Sequence, residues 1–437
     1  MNINHCKLGE IATIEISSID KKIKEGEIPV KLCNFVDVYY NWAITRPMKD
    51  KFMEATARQT EIDRFTLHKG QVALTKDSET RFDIGISTYI ADDFDNVILG
   101  YHNALITPNP DFLNGKYLNA LLHTEYARTY FANNASGSGQ RYALSVDALN
   151  SLPIYLPPID EQKRIGNIFS SIDRKIELNR EINRNLEAQA KQLYDYWFVQ
   201  FDFPDENGKP YKSSGGEMVW NEKWKREIPK GWEVKDIKSF MRIFTGKKDV
   251  SKAIPGKYKF FSCAPEPITS NEYIFDGAAV LISGNGSYTG RVNFYRGKMD
   301  LYQRTYACVL DNNDYKIPFF YYTLKYLFQP IYSGGKHGSS IPYIVLGDLA
   351  DFMYAYNSEV VDDFITQIQA LFNKQILNKS EIEHLTKQRD ELLPLLMNGQ
   401  VSFKSLVSEE RYEYLKERMS ELLKQKETEV NCDLSHD

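Results

Sequence analysis

The sequence predicts an α+β protein in which two mixed α/β globular regions are joined by two long coiled-coil helices, with an internal pseudo-two-fold repeat. Three observations support this fold class. A motif recurs at an offset of 200 residues, both copies lie in segments with heptad spacing, and a region of short strands precedes each copy. At 437 residues the chain is also too long for one ordinary core, so we expect several domains.

The repeat is clearest within the two heptad segments. The matched positions are Ile176 and Ile376, Glu181 and Glu381, and Ile182 and Ile382. A period this long is not that of a solenoid, whose units are a few tens of residues long. It indicates a duplicated module in which a globular region is followed by a long helix.

Composition and heptad spacing divide the chain into six segments. They are a first globular region 1–157, a central spacer helix 158–200, a linker 201–230, a second globular region 231–356, a distal spacer helix 357–403, and a charged extension 404–437. Apolar runs such as 72–75, 84–90 and 280–283 predict strands in the globular regions, and 116–132 has helical spacing. The linker is rich in Gly, Pro, Lys and Glu, which predicts irregular structure.

The two spacer helices are predicted from apolar steps that alternate between three and four residues. The first seam is Phe169, Ile172, Ile176, Asn179, Asn183, Leu186, Ala190, Leu193 and Trp197. The second is Phe364, Ile368, Leu371, Gln375, Asn378, Ile382, Leu385, Arg389, Leu392 and Leu396. Both seams are polar near the middle, so we expect these centres to meet within one chain, although a homodimer would give the same pattern.

The ends of the helices carry expected boundary signals. Pro157 and Pro158 fit just before a helix, and Asp160 is the expected N-cap. From Asp160 to about Phe198 the central helix would have roughly 39 residues and a length of about 58 Å. In the distal helix we expect Pro394 to interrupt the helix and Asn398-Gly399 to end it.

Composition restricts the possible environments and partners. The five cysteines are scattered and never form a Cys-x-x-Cys pair, which indicates a reducing, cytoplasmic setting. No apolar run is long enough for a membrane span, and the first residues do not resemble a signal peptide. The net charge of −5 provides no overall basic surface, although residues 231–355 carry 15 Lys and Arg against 11 Asp and Glu.

The motifs give no sign of catalysis, so we expect no catalytic residues, no metal site and no bound cofactor. The Gly284–Gly290 loop is followed by a strand-like run, whereas a nucleotide-binding loop needs a helix there. Ser333–Ser340 lacks Walker A spacing, and the seven histidines show no His-x-x-x-His pair. No Gly-x-Ser-x-Gly elbow is present.

Polar loops at matching places in both halves remain as candidate DNA-binding sites. In the first half these residues are Thr75, Lys76, Asp77, Ser138, Gln140 and Arg141, and in the second half they are Ser283, Asn285, Lys336 and His337. Such side chains bond base edges or phosphates, and glycine lets the backbone approach a duplex. Each loop alone would be an ordinary solvated turn, but recurrence in a duplicated module favours a function.

The combined motifs resemble the specificity subunit of a type I restriction–modification system. They are Leu-Pro-Ile-Tyr-Leu-Pro-Pro-x-x-Glu161-Gln162, Phe-x-x-Ile-Asp-x-Lys-Ile-Glu-x-Asn179, Tyr194-Asp-Tyr-Trp-Phe198, Ile228-Pro-x-Gly231-Trp232, and Leu392-Leu-Pro-Leu-Leu-Met-Asn-Gly399. The resemblance covers residues 1 to about 403. The chain departs from the pattern at Asp362-Asp363-Phe364, where the second helix entry lacks Pro-Pro and Glu-Gln.

The resemblance implies two target recognition domains held apart by antiparallel helices, each reading one half of a split, asymmetric sequence in double-stranded DNA. It implies two adenine methyltransferase subunits that use S-adenosylmethionine, and motor–nuclease subunits that use ATP and Mg²⁺. It also offers exposed Tyr194, Trp197 and Phe198 as partner-binding residues, the alternative being that they pack inside the chain's own helix bundle. The competing function is a two-headed coiled-coil adaptor that binds proteins and does not recognise DNA.

Overall fold

The computed structural model describes residues 4–137, 140–311, 314–338 and 340–397. The chain divides into two compact units, the first up to Asn179 and from Ser380 onward, the second Arg180–Lys379. Each long helix therefore contributes one part to each unit. We call residues 4–157 the first head and residues 231–356 the second head.

A five-stranded sheet organises the first unit. Its strands, in spatial order, are Ala12–Ile16, Asn103–Pro108, Val72–Thr75, Ser87–Ile90 and Ala43–Ile44. All neighbours are antiparallel except the last pair, which is parallel. The predicted strand at 84–90 begins later, at Ser87. The two strands Val72–Thr75 and Ser87–Ile90 are fully buried, so the sheet is covered on both faces.

Helices cover one face of this sheet and a second small sheet covers the other. The segment expected to be one helix at 116–132 forms two, Gly115–Leu122 and Glu125–Asn134, because the Thr124 hydroxyl caps the second by accepting the amide of Ala127 at 3.3 Å. The small sheet has the order Met53–Ala57, Ile28–Cys33 and Val97–Leu99. Shorter helices are Leu8–Ile11, Phe35–Tyr40, Arg46–Lys51 and Gln59–Phe65.

The second unit repeats the strand order of the first. Its sheet consists of Arg242–Thr245, Thr305–Val309, Phe275–Ser283, Val292–Leu301, Tyr258–Phe261 and Ile268–Ser270. Here too the first three pairs are antiparallel and the fourth is parallel. After this sheet the chain forms an α-helix at Ile317–Thr323, a π-turn at Leu324–Phe328 and a short α-helix at Gln329–Tyr332.

The predicted duplication is confirmed at the exit of each head. Val146–Asn150 and Leu346–Ala350 are short helices, each followed by a strand, Pro153–Leu156 or Met353–Tyr356. Each exit strand pairs antiparallel with the first strand of its own head, which is Asn4–Lys7 or Glu233–Asp236.

The central helix runs from Ile159 to Tyr194 and continues as a π-turn over Asp195–Val199. The expectation that Asp160 is the N-cap is wrong, since the Pro158 carbonyl already accepts the amides of Glu161 and Gln162. Asp160 instead lies in the first turn, where its negative charge interacts favourably with the helix dipole. The buried Gln162 side chain donates to the carbonyls of Phe112 and Pro157, both at 2.9 Å, which fixes the helix to the first head.

The distal helix runs from Ser358 to Met397. The expected interruption at Pro394 does not occur. The proline removes one backbone donor, but Leu393, Leu396 and Met397 are buried in the first unit's core and hold the last turn in place. The expected stop at Asn398-Gly399 and the extension 404–437 lie outside the described residues.

The polar centres of the two seams meet within one chain, as predicted. In the first unit, Nδ2 of Asn179 donates to Oε2 of Glu381 at 2.9 Å. In the second, Nδ2 of Asn378 donates to Oδ1 of Asn183 at 3.0 Å, and Nδ2 of Asn183 donates to the Gln375 carbonyl at 3.4 Å. In the second unit Asn183 lies beside Asn378 and Glu187 beside Gln375, so residue numbers rise along one helix as they fall along the other and the pairing is antiparallel.

The linker 201–230 is more ordered than expected. Met218–Asn221 and Arg226–Pro229 form a hairpin with Lys225 in the left-handed region at φ 55°. Ile228 and Phe203 are buried in the second unit's core, where the Phe203 ring lies 5.1 Å from that of Trp232. The expectation of irregular structure is therefore wrong for residues 218–229.

Candidate nucleic-acid interface

The two candidate loops of the first head form one structure. Asp77–Ser78 pairs with Tyr142–Ala143, which in turn pairs with Ser136–Gly137. Glycine is required at 137, since a Cβ there would lie 2.1 Å from the Arg141 carbonyl oxygen. The fold thus places residues 77–78 beside residues 142–143, which in turn lie beside residues 136–137. Ser138 lies outside the described residues.

A charged cluster is organised around Asp77. The Asp77 carboxylate is nearly buried and lies 3.0 Å from the ammonium of Lys76 and 2.5 Å from Nδ1 of His102. One guanidinium nitrogen of Arg141 is 3.8 Å from the same carboxylate. Burial acts to raise the pKa of Asp77, but the hydrogen bonds of His102 and Lys76 outweigh it and lower the pKa below its usual value. Asp77 therefore stays ionised and orients its neighbours.

The cluster opens onto a groove of about 610 Å³ at the surface of the first head. Its lining includes Gln140 and Arg141 together with the helix residues Tyr39 and Tyr40. Gln140 and Arg141 are both exposed. Donors that project from a rigid ribbon can reach base edges or phosphates.

Thr75 and Asp77 are the least exposed of the first head's described candidates. Thr75 is fully buried, and its hydroxyl accepts the Ile86 amide at 3.0 Å. Asp77 is held from within by Lys76 and His102. The Thr75 side chain therefore does not reach the surface, whereas Asp77 lines the groove and its contact with DNA stays a prediction.

The candidate loops of the second head also meet. Single bridges pair Tyr343 with both Asn285 and His337. Nε2 of His337 lies 3.0 Å from Oδ2 of Asp348, and the ammonium of Lys336 lies 3.8 Å from Oδ1. Lys336 is exposed and His337 is half-buried, so both can contact a ligand.

Ser283 is the second head's counterpart of Thr75, and its side chain is likewise buried. It is 5% exposed, and its hydroxyl donates to the Cys263 carbonyl at 3.3 Å. Asn285, two residues further on, is partly exposed on the same edge as Tyr343.

The structure adds His102 and Arg304, which the sequence did not single out. The His102 carbonyl accepts the Lys76 amide at 2.9 Å, and the Arg304 carbonyl accepts the Gly284 amide at 2.9 Å. The two residues thus occupy equivalent positions, each one residue before a strand of its sheet. No local pattern marks them, because the contact joins segments more than 19 residues apart.

The partner-binding candidates Tyr194, Trp197 and Phe198 are buried, at 1%, 5% and 2% exposure. The expectation that they are exposed is wrong. Phe198 packs against rings from three other segments, Trp232, Phe319 and Phe364, at centroid distances of 5.9, 5.0 and 5.0 Å. These residues form the junction of the helix pair and the second head, which corresponds to the alternative of packing within the chain.

We predict that Phe198→Ala destabilises the second unit by about 3–5 kcal/mol, the usual cost of removing a buried phenyl ring. Urea unfolding followed by tryptophan fluorescence measures this, since four of the five tryptophans (Trp197, Trp220, Trp224 and Trp232) lie in that unit. The matched control Leu377→Ala, at a site that is 64% exposed in the same unit, should change stability by less than about 0.5 kcal/mol. A loss below about 1 kcal/mol for Phe198→Ala would contradict a packed junction.

Two features are absent from the described part of the chain. Within 4–137, 140–311, 314–338 and 340–397 no group of three or more His, Cys, Asp or Glu side chains is arranged to hold a metal ion. Over the same part of the chain, no helix is both long and apolar enough to cross a membrane.

Comparisons with known proteins agree with the duplicated fold. The sequence model of the family described as "Type I restriction modification DNA specificity domain" matches residues 4–188 and again residues 229–353. The specificity subunit of the type I restriction enzyme MjaIX from Methanocaldococcus jannaschii is 26% identical over 318 residues, which is 67% of this chain and 70% of that protein. The EcoDI specificity subunit from Escherichia coli is 32% identical over 182 residues, 40% of each chain.

A solved structure shares the fold. The type I restriction–modification S subunit from M. genitalium superposes with a TM-score of 0.59 at 17% identity, covering 91% of this chain and 96% of that one. The family model alone matches well over half of the sequence, with one copy in each head. The chain therefore belongs to the type I restriction–modification specificity subunits.

Proposed function

We propose that each head reads one half of a split DNA sequence and that the paired helices set the distance between the halves. The observation that carries this proposal is the repetition of one frame with different side chains. The edge that bears Asp77 and Arg141 in the first head bears Asn285 and Ile341 in the second. Different side chains on one frame would give an asymmetric target.

The division of labour is inferred from the family to which the chain belongs. Specificity subunits are non-catalytic members of their complexes, and the described residues contain no metal-binding group. We propose that two adenine methyltransferase subunits supply S-adenosylmethionine chemistry, and that motor–nuclease subunits supply ATP- and Mg²⁺-dependent cleavage. The net charge of −5 fits this arrangement, since partner subunits would hold many of the phosphates.

With the aromatic junction buried, we place partner contacts on the outward polar faces of the long helices. The polar seam centres and the aromatic junction are not available for partner contacts, because their side chains bond or pack within the chain itself. We further propose that the protein works in the cytoplasm, where its DNA substrate lies.

We predict that the purified chain alone transfers no methyl group to DNA. The physical reason is that base methylation needs a bound methyl donor and catalytic groups, and specificity subunits are the non-catalytic members of their complexes. Incubation with radiolabelled S-adenosylmethionine and genomic DNA measures this, with the same reaction plus modification subunits as the positive control. Label incorporation by the chain free of companion subunits would contradict the non-catalytic assignment.

A selection experiment tests the proposed function against the protein-binding adaptor. The full chain, purified with its modification subunits, is incubated with a library of random duplexes, and bound DNA is sequenced. We expect enrichment of one sequence made of two fixed halves around an unread gap. Absence of any enriched sequence would contradict the proposal and favour the adaptor.

A further inference from the structure

Four positions around each reading edge are structurally equivalent in the two heads. The amides of Leu144 and Ile344 donate to the carbonyls of Lys76 and Gly284, at 2.8 and 2.9 Å, which fixes the alignment of the two ribbons. The equivalent pairs are Lys76 and Gly284, Asp77 and Asn285, His102 and Arg304, and Arg141 and Ile341. The frame is shared, but all four side chains differ.

In the first head these four positions form a chain of side-chain contacts that ends at the surface. Nδ1 of His102 lies 2.5 Å from the Asp77 carboxylate, so it carries the proton and donates to it. The Nη2 nitrogen of Arg141 lies 2.7 Å from Nδ1 and 2.9 Å from Nε2 of the same ring, so the imidazole holds one end of the guanidinium fork. His102 has φ 69°, a left-handed conformation that turns its ring into this position. The inner end of this chain of contacts is nearly buried, whereas the Arg141 side chain is 60% exposed.

This anchoring matters for the bases that Arg141 can read. A guanidinium has five donors in a planar fork and no acceptor. In the major groove only guanine presents two acceptors side by side, O6 and N7, whereas adenine pairs one acceptor with a donor. An arginine held through one nitrogen keeps the other edge of its fork for a base. A freely rotating surface arginine would favour the nearest phosphate instead.

We propose that Arg141 reads a guanine in the half-site of the first head, with His102 and Asp77 as positioning residues that hold its guanidinium. This rests on the proposed function, because it assumes that the first head contacts base edges. The second head has Ile341 at the equivalent position, which has no donor. The guanine contact made this way therefore belongs to one half-site only.

The test measures binding of the full chain, with its modification subunits, to duplexes that vary one base pair at a time across both half-sites. At one position of the first half-site, wild-type protein should prefer guanine by about 5- to 150-fold. Arg141→Ala should abolish the preference there and leave the other positions unchanged. Arg141→Lys should keep a reduced preference, since an ammonium lacks the planar fork. The matched control Arg46→Ala removes an exposed arginine elsewhere in the same head and should leave every preference intact.

Asp77→Asn tests the positioning role. It should lower the guanine preference in the wild-type background and have no effect on base preference in the Arg141→Ala background, because Asp77 acts only through the arginine. A purely structural role would weaken binding equally in both backgrounds and leave the preferences unchanged.

Four outcomes would overturn the inference. Arg141→Ala with unchanged base preferences, or with equal weakening on every duplex, would make Arg141 a bystander or a phosphate contact while the proposed function stands. If Arg141→Ala bound no duplex, an unchanged preference in Arg141→Lys would contradict the guanine contact. A wild-type complex without preference at any position would refute the proposed function itself.

Discussion

Inserting four residues into the central helix after Asn183 is expected to widen the unread gap of the target by one or two base pairs. Four helical residues add about 6 Å to the helix and rotate its remaining part by about 40°. Successive base pairs of B-DNA rise about 3.4 Å. Both half-sites should keep their sequences, because neither head is altered.

The structure shows why this insertion point is suitable. On one side, Gln162 fixes the central helix to the first head through the carbonyls of Phe112 and Pro157. On the other, Glu187 fixes it to the second head, accepting the Tyr326 hydroxyl at 2.5 Å and pairing with Lys325 at 2.8 Å. The insertion leaves both attachments unchanged.

The antiparallel pairing supplies a matched variant. Asn183 contacts Asn378 and Gln375, so the central insertion alone breaks the seam at this layer. A second four-residue insertion between Gln375 and Asn378 lengthens both helices together and should restore complex stability at the widened gap. Sequencing the methylated sites of cells that carry each variant measures the gap. An unchanged gap with full activity would mean that the partner subunits set the spacing.

The observed helix also refines the expected reach. The α-helix has 36 residues, Ile159–Tyr194, rather than about 39. At ~1.5 Å per residue it spans about 54 Å, or roughly 16 base pairs of B-DNA. The α-helix is shorter than expected because a π-turn replaces it at Asp195–Val199, where Trp197 and Phe198 are buried in the second unit's core.

The long helices and the repeat can be predicted because their signals are local. Heptad spacing marks the seam, and the asparagines at its centre do find polar partners. The predicted N-cap lies two residues too late in the sequence. The Pro158 carbonyl accepts the first helical amides, so the helix begins without an aspartate at the N-cap. The hairpin in the linker is not predictable from pattern, because its strands are polar and are held by packing of Ile228 and Phe203.

The sequence predicts which loops form the candidate site, but it does not predict which of their side chains are exposed. The two predicted loops of the first head do meet, since Arg141 lies 3.8 Å from Asp77, and so do their counterparts in the second head. Which side chains face outward depends on strand pairing, and Thr75 and Ser283 point inward. His102 and Arg304 lie at the site because their carbonyls accept the amides of Lys76 and Gly284, each more than 19 residues earlier in the sequence. No neighbouring sequence motif therefore predicts their position.

The burial of Tyr194, Trp197 and Phe198 is equally hidden from sequence reasoning. Aromatic residues at the end of an amphipathic helix fit either a docking surface or a core. The choice is made by Phe319 and Phe364, which come from more than 120 residues away in the sequence.

Independent reading by the two heads is tested most directly by exchanging one of them. Replacing residues 1–157 with the first head of a relative that has a different target leaves the second head and both long helices in place. The exchange boundary lies between the exit strand Pro153–Leu156 and the helix start at Ile159, so neither element is cut. The reciprocal exchange of residues 231–356 is the matched control.

Genome-wide sequencing of methylated adenines in cells that carry each chimera gives the answer. Exchange of the first head should change one half of the methylated sequence and leave the other half and the gap intact, and the reciprocal exchange should do the reverse. A single exchange that altered both halves together would contradict two independent readers.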